Sequence, residues 1–217
     1  MNEDIIKYYE LRASEYEEVY AKPERQADLL KLSSLLQKIF KDQSLIEIAC
    51  GTGYWTERIA KTACAITATD INASVIEIAK KKNYHACIVE FMLLDIFEPI
   101  INSDQLAQDN LFGGFIWSHI KLSSLPLFLT QIHKLVKPGG KVVMVDNRYV
   151  PESNRPITHT DQEGNTYQTR QLADGSNHLV LKNFPGDMDL IQLVKPMAYD
   201  LEILRLDYYW LMVYTKA

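Results

Sequence analysis

Two glycines spaced one residue apart interrupt an apolar run in the segment L-I-E-I-A-C-G-T-G-Y-W, residues 45–55. The run carries one acid, Glu47, and a helix-like pattern resumes at Tyr54. A strand, a glycine turn and a helix in this order bring backbone N–H groups and a helix N-terminus to the carboxyl edge of a sheet. We therefore predict a ligand site at residues 49–53, because a Cβ at Gly51 or Gly53 would hold the main chain away from a ligand.

Three ligand classes commonly bind such a turn: nucleoside triphosphates, dinucleotides and S-adenosylmethionine. The Walker pattern for nucleoside triphosphates, G-x-x-x-x-G-K-[ST], is absent from the sequence. The dinucleotide pattern G-x-G-x-x-G needs a small residue at position 56, where the chain has Thr56, and the register that starts at Ala49 meets Tyr54 instead. A nicotinamide dehydrogenase is therefore disfavoured.

The pattern that remains is acid-x-small-x-Gly-x-Gly, which begins at Glu47 and ends at Gly53. It resembles the first motif of the class I S-adenosylmethionine-dependent methyltransferases of the small-molecule type, with Ala49 in place of the usual first glycine. The resemblance implies that S-adenosyl-L-methionine is the cofactor and S-adenosyl-L-homocysteine the product. It also implies that Glu47 supports the loop from below. The residues that would lie against the methionine and ribose portion are Ala49, Cys50, Gly51, Thr52 and Gly53.

Two further acids end predicted strands in the same chain order. A carboxylate at Asp70 can accept both ribose hydroxyls, a role that dinucleotide enzymes share. Asp95, in L-L-D-I-F, resembles the adenine-binding acid of the family, with Ile71 and Ile96 as apolar walls for the ring. One such acid alone could equally be a helix cap. Three of them beside a glycine turn predict a cofactor site.

The resemblance extends to L-V-K-P-G-G-K-V-V-M-V-D, typical of the entry to strand five, and to the N-terminal Y-Y-E-L-R-A-S-E-Y-E-E-V-Y, which looks like a lid helix. In that helix Arg12 can pair with the cofactor's carboxylate, or else with nearby acids in solvent. Tyr16 is expected at the cofactor and Tyr20 at the acceptor, although an aromatic stripe at helical spacing also suits a core. Aromatic faces attract a sulfonium.

The methyl acceptor should lie beside the ends of strands four and five. Ser118 is expected at the cofactor. His119 can shuttle protons near neutral pH, or it only hydrogen-bonds the cofactor or lines the pocket. Asn147, Arg148 and Arg170 are expected on the substrate side, where an arginine can bind an acidic acceptor. A base is needed only if the nucleophile is protonated, and no metal site is expected.

The remaining sequence predicts the elements that position these residues. Strands alternate with helices, and the strands are too apolar to face water, which indicates a parallel sheet covered on both faces. The predicted fold class is α/β, a Rossmann-like, doubly wound, seven-stranded, mostly parallel sheet with an antiparallel C-terminal strand. The predicted helices span 3–20, 24–40, 54–62, 72–82, 124–136 and 187–195, and the predicted strands span 45–49, 65–69, 89–94, 115–118, 141–145, 201–206 and 210–215.

We predict one methyltransferase domain over residues 1–217. It would consist of N-terminal lid helices (1–40), a cofactor-binding core (41–149), an inserted hairpin or lid (150–184) with strands at 166–172 and 178–182, and a C-terminal helix with the last two strands (185–217).

Composition limits the function classes. The formal charge is -5, which argues against general attraction to nucleic acid or anionic membrane. No signal peptide or apolar span of about 20 residues is visible, so a cytoplasmic protein is expected. The expected partners are a small-molecule methyl acceptor and a second copy of the chain in a homodimer. The alternatives are a protein or RNA methyltransferase and a non-catalytic relative that only binds the cofactor.

Overall fold

Ten strands form two sheets in the computed structural model, which describes residues 12–85, 87–98, 103–172 and 175–217, without the side chains of 13–16 and 103–104. The larger sheet has seven strands, and the smaller one is an antiparallel sheet of three. In chain order the strands are β1 (Ser44–Ile48), β2 (Ala65–Asp70), β3 (Ile88–Leu93), β4 (Gln108–Gly114), β5 (Val136–Asn147), β6 (His159–Thr160), β7 (Thr166–Gln171), β8 (Asn177–Leu181), β9 (Ala198–Arg205) and β10 (Tyr209–Lys216).

The strand order of the larger sheet is β3-β2-β1-β4-β5-β10-β9. Strands β1 to β5 pair in parallel, and β10 is antiparallel to both of its neighbours. The predicted fold class is therefore confirmed, including the antiparallel pairing of the last two strands. The carboxyl ends of β1 to β5 meet at one edge, which we call the carboxyl edge.

Helices cover both faces of the larger sheet. They are α1 (Gln26–Ile39), α2 (Tyr54–Ile59), α3 (Ala73–Ala79), α4 (Ser103–Leu106), α5 (Leu125–Lys134) and α6 (Asp187–Val194). Side chains alternate between faces along β1: Leu45 packs in one apolar cluster with α1 and α2, whereas Ile46 and Ile48 pack in a second cluster with α5 and α6. Strands β5 and β10 contain largely apolar runs because both of their faces pack in these two clusters.

The fourth strand lies earlier in the chain than predicted. It spans Gln108–Gly114, and Phe115–Ser118 belong to the turn that follows it. The strand was not predicted because its sequence contains polar residues and two glycines. One of these glycines, Gly113, fits the packing of the sheet, since a Cβ on it would lie 2.7 Å from Met144 Sδ. Phe115 then leaves the extended region at φ 62°. His119 still lies at the carboxyl edge, in a 3-10 helix that spans Trp117–His119.

Two other predicted elements differ in type or extent. Residues Ala13–Tyr20 form a 3-10 helix, whereas the earlier part of the predicted first helix lies outside the described residues. The predicted K-P-G-G turn lies within β5, where Val136 pairs with Gln108 before the register shifts and Lys141 pairs with Asn110. The prediction missed this bulge because proline and glycine usually end a strand.

Candidate active site

The bend at residues 49–53 follows β1 directly at the carboxyl edge. Ala49, Gly51 and Gly53 have φ angles of 51°, 55° and 79°, all in the left-handed region. Asp70, at the end of β2, accepts a hydrogen bond at Oδ2 from the Gly51 N–H at 2.9 Å, and at Oδ1 from the Asn72 N–H at 2.9 Å. Each carboxylate oxygen can accept a further bond, so Asp70 both holds the bend and keeps acceptor capacity beside it.

Gly53 lies in close contact with two residues of the protein itself. A Cβ there would lie 2.7 Å from the Tyr84 hydroxyl and 3.0 Å from Cβ of Ala79. The missing side chain therefore makes room for the protein's own residues. At Ala49 the left-handed conformation explains why the related motif usually has glycine at this position.

Glu47 lies in β1 immediately before the bend and is almost fully buried. Burial, together with the nearby Asp70 carboxylate, raises the pKa of Glu47 to about 8. Its Oε2 atom has no hydrogen-bond partner among the described residues. Burial likewise raises the pKa of the Cys50 thiol, with Glu47 and Asp70 adding to the shift. Cys50 is therefore a poor nucleophile, and Glu47 is a carboxyl group able to bind a partner.

The predicted adenine side is built by the neighbouring strand. Asp70 pairs with Leu93 across β2 and β3, which brings Asp95 close to the same edge. Asp95 is half-buried and accepts a hydrogen bond from the Phe97 N–H at 2.9 Å. Ile71 is also half-buried, but Ile96 lies in the apolar core, so it contributes to packing more than to a pocket wall.

The N-terminal 3-10 helix is attached to the bend. Glu17 accepts a hydrogen bond from the Thr52 hydroxyl at 2.8 Å and forms an ion pair with Lys82. Tyr20 stacks on Tyr54 with ring centroids 3.6 Å apart, and it is buried. The side chain of Tyr16, predicted at the cofactor, lies outside the described residues.

A cavity of about 290 Å³ adjoins the ends of β4 and β5. Its wall includes Arg12 and four of the five residues predicted on the substrate side, which are Tyr20, His119, Asn147 and Arg170.

Arg148 is the exception. It is absent from the wall, and its guanidinium donates to the backbone oxygens of Leu206 and Asp207. These contacts hold the turn between β9 and β10, and the substrate role of Arg148 stays a prediction that they do not support.

His119 is buried in the wall of this cavity. Its Nδ1 lies 2.7 Å from the carbonyl oxygen of Leu181, and since a carbonyl can only accept, Nδ1 carries the proton. Burial lowers the pKa of His119 well below its usual value, and the positive charges of Lys182 and Arg170 lower it further. The imidazole is therefore neutral near pH 7, with the lone pair on Nε2.

Below His119 lies a buried network that the sequence analysis missed. Lys182 donates to Ser118 Oγ at 2.5 Å and to Asp146 Oδ1 at 3.1 Å, and burial lowers its pKa to about 8. Ser118 in turn donates to Asp146 from both its N–H and its hydroxyl. Ser118 is fully buried and positions the turn, and its contact with the cofactor stays a prediction.

The period-two alternation of β8 could have revealed Lys182. Val180 is buried on the inner face of the smaller sheet, and a residue two positions later faces the same side. Leu181, Lys182 and Asn183 dock this sheet on the carboxyl edge through His119, Asp146 and the Ser118 carbonyl.

The described residues contain neither a metal-binding cluster nor a helix that could cross a membrane. No group of three or more His, Cys, Asp or Glu side chains in that part of the chain could hold a metal ion. None of the helices described is both long enough and apolar enough to cross a bilayer.

Parts of the sequence are similar to known methyltransferases. Residues 46–142 match the family model of a methyltransferase domain. The chain is 25% identical over 158 residues to a phosphoethanolamine N-methyltransferase of Triticum aestivum, covering 70% of this chain and 31% of that protein. It is 27% identical over 148 residues to a malonyl-[acyl-carrier protein] O-methyltransferase of Priestia megaterium (strain DSM 319 / IMG 1521), covering 66% and 51%. The chain thus spans about a third of the first relative's length and about half of the second's.

Among solved structures, a DhpI-SAM-HEP complex has a TM-score of 0.78 at 22% identity and is covered over 100% of both chains. A DhpI-SAH complex has a TM-score of 0.77 at 24% identity, covering 99% of this chain and 96% of that chain. These two likenesses establish the fold. The central segment of the chain, residues 46–142, is thus similar to a methyltransferase domain, and the whole chain has the fold of these solved structures.

Proposed function

We propose that this protein transfers a methyl group from S-adenosylmethionine to an oxygen, nitrogen or carbon nucleophile of a small molecule. The observation that carries the proposal is the bend at residues 49–53, which Asp70 holds beside the buried carboxyl group of Glu47. The relatives support it, since two are named as methyltransferases and DhpI forms complexes with SAM and SAH. The acceptors in their names belong to those proteins.

The residues around the bend fit this cofactor. Glu47 Oε2 is buried without a partner among the described residues and can accept from an ammonium group, whose charge would lower the pKa of the carboxyl again. Asp70 has acceptor capacity left for ribose hydroxyls, and Asp95 lies at the next strand end for the adenine. When bound, S-adenosylmethionine supplies a methyl group activated on a positively charged sulfur.

The chain's own contribution is binding, alignment and exclusion of water. Methyl transfer is an in-line displacement, so the acceptor must lie about 3 Å from the methyl carbon with its nucleophile aligned. We propose that the N-terminal segment, attached through Glu17, and the smaller sheet, docked through residues 181–183, act as lids over the site. Such lids keep the two reactants together and away from solvent.

His119 is our proposed proton acceptor for a nucleophile that is protonated. Its Nδ1 donates to the carbonyl oxygen of Leu181, so Nε2 is the nitrogen of the neutral ring that can accept a proton. Because its pKa is low, His119 would orient the nucleophile by a hydrogen bond and receive the proton only as the new bond forms. A nucleophile that is already deprotonated needs only alignment.

We also propose a cytoplasmic location. Cys50, Cys64 and Cys87 are all free thiols in the structure, as a reducing compartment would keep them.

Two measurements test the proposed function. Calorimetry should detect binding of S-adenosylmethionine and S-adenosylhomocysteine and no heat from NAD. Incubation of the protein with methyl-labelled S-adenosylmethionine and fractionated cell extract should then label the metabolite fraction. Label in protein or RNA alone would contradict the small-molecule acceptor, and cofactor binding without label in any fraction would indicate a non-catalytic relative.

A further inference from the structure

The cavity beside the bend is strongly cationic. Among its described lining residues, six are basic and only Glu18 is acidic, although the whole chain has a formal charge of -5. Charged side chains on an ordinary surface mix both signs. The lining of the cavity therefore carries positive charge, whereas the net charge of the whole chain is negative. The basic residues are Arg12, Lys22, Arg25, Arg155, Arg170 and Lys182.

Arg25 contributes a fixed positive charge on one side of the cavity. It is buried, and it donates from Nε to Ser153 Oγ at 3.0 Å and from Nη1 to Asn147 Oδ1 at 3.0 Å. Both acceptors are neutral, and the acid Glu24 is reached only through the Ser153 hydroxyl. The guanidinium is thus held in place without direct neutralisation by these contacts.

The smaller sheet contributes Arg170 from β7, and Lys182 directly follows β8. Arg170 is half-buried and donates from Nη2 to the neutral amide oxygen of Gln168 at 3.0 Å. Lys182 is buried on Asp146. Arg155 is exposed at the rim, where its side chain can reach a bound molecule.

The basic groups also affect one another. Burial lowers the pKa of Lys182 to about 8, and Arg170 and Arg25 act in the same direction although Asp146 opposes them. Burial lowers the pKa of Lys22 as well, and Arg25 and Arg155 add to this. Like charges this close repel each other, and a bound anion would remove the repulsion.

Resting on the proposed function, we propose that the methyl acceptor is a small oxyanion, a molecule with a carboxylate or phosphate group, and that this group binds in the cavity between Arg170, Arg155 and Arg25. Guanidinium groups match the planar, two-oxygen geometry of such anions. A volume of about 290 Å³ suits a small metabolite and not a polymer. Glu18 lies in the same wall, and its negative charge opposes anion binding. Removing that charge should therefore strengthen the binding of an anion.

Calorimetry on the S-adenosylhomocysteine-loaded protein at low ionic strength tests the proposal. The probes are inorganic phosphate and malonate, with chloride and tetramethylammonium as references. We expect phosphate or malonate to bind at least about tenfold more tightly than chloride, and tetramethylammonium not to bind. The tighter of the two anions identifies the class of acceptor.

Matched variants separate a built site from a general charge effect. Arg170→Gln and Arg155→Gln should each weaken the tighter anion by about tenfold, and Glu18→Gln should strengthen it. Arg205→Gln makes the same change in net charge on a residue that is paired with Asp187 outside the cavity, and it should leave anion affinity unchanged. Unchanged S-adenosylhomocysteine affinity in each variant would show that it is folded.

The outcomes distinguish this inference from the proposed function. If S-adenosylhomocysteine binds but neither anion exceeds chloride, or if Arg205→Gln weakens the anion as much as Arg170→Gln does, the oxyanion acceptor is wrong and the methyltransferase proposal stands. If anions bind but S-adenosylhomocysteine does not, the proposed function fails, and with it the acceptor role of the cavity.

Discussion

The Oδ2 atom of Asp70 lies 2.9 Å from the backbone nitrogen of Gly51 and accepts its hydrogen bond. A side chain at the end of β2 therefore holds the main chain at the end of β1. Parallel neighbouring strands make this possible, because both end at the carboxyl edge. The same carboxylate is the proposed partner of the ribose, so we propose that one residue both shapes the bend and binds the cofactor beside it.

Replacing Asp70 should reduce cofactor affinity. In Asp70→Ala the proposed ribose hydrogen bonds and the hold on Gly51 are both lost, and we expect S-adenosylmethionine binding to weaken by about 1–3 kcal/mol. Titration calorimetry measures this change. Asp109→Ala, which removes a carboxylate that pairs with Lys137 at the exposed start of β4, is the control and should bind normally. Equal affinity in both variants would contradict the ribose assignment.

Gly53→Ala should destabilise the fold by two mechanisms. The φ of 79° strains any residue with a Cβ, and the new Cβ would overlap the Tyr84 hydroxyl and Ala79. We expect a loss of about 2–4 kcal/mol in the free energy of unfolding, measured by urea titration. Gly175 has a φ of 84° with nothing within 4 Å of the added Cβ, so Gly175→Ala should lose only about 1–2 kcal/mol. Similar losses of stability in the two variants would show that Tyr84 and Ala79 move aside without a cost in free energy.

Glu47 should make stability depend on pH. Its pKa is raised to about 8 in the folded protein, whereas the unfolded chain ionises near the ordinary value. Between these values the folded state holds a proton that the unfolded state has released, so the free energy of unfolding falls as pH rises. We expect a loss of about 2–3 kcal/mol from this group between pH 6 and pH 8.

The variant Glu47→Gln cannot ionise, so it should lack this contribution. Urea unfolding of both proteins across the same pH range measures the difference, in which the titrations of other groups cancel. The variant should gain stability relative to the natural protein as pH rises. Parallel pH profiles would mean that Glu47 is already ionised in the folded protein.

Glu17→Ala should loosen the proposed N-terminal lid. The change removes the acceptor of the Thr52 hydroxyl and the ion-pair partner of Lys82. We expect faster amide hydrogen exchange over residues 17–20 and S-adenosylhomocysteine affinity weaker by about 0.5–1.5 kcal/mol. Glu18→Ala removes the same charge from the exposed neighbouring residue and should change neither quantity. Unchanged amide hydrogen exchange and unchanged S-adenosylhomocysteine affinity in Glu17→Ala would contradict the proposal that Glu17 attaches the N-terminal lid.

The sequence alone determined the fold class and the sheet edge at which the proposed cofactor residues lie. The period and polarity of the strands predict a covered parallel sheet, and Glu47, Gly51 and Asp70 occupy strand ends that any such sheet brings to one edge. These features depend on contacts with near neighbours in the chain or on rules common to all parallel sheets. For this reason they can be predicted from the sequence.

The tertiary structure alone decided which residues line the cavity of the proposed acceptor. Lys182 meets Ser118 and Asp146 across separations of 64 and 36 residues, and Arg25 meets Ser153 across 128. No local pattern marks such pairs, because each residue is an ordinary charged or polar side chain in its own segment. Arg148 illustrates the converse, since its position after β5 suggested the pocket while carbonyl oxygens of a distant turn accept from its guanidinium. Which charges converge on a cavity depends on how the lids pack, and that is set only by the folded chain.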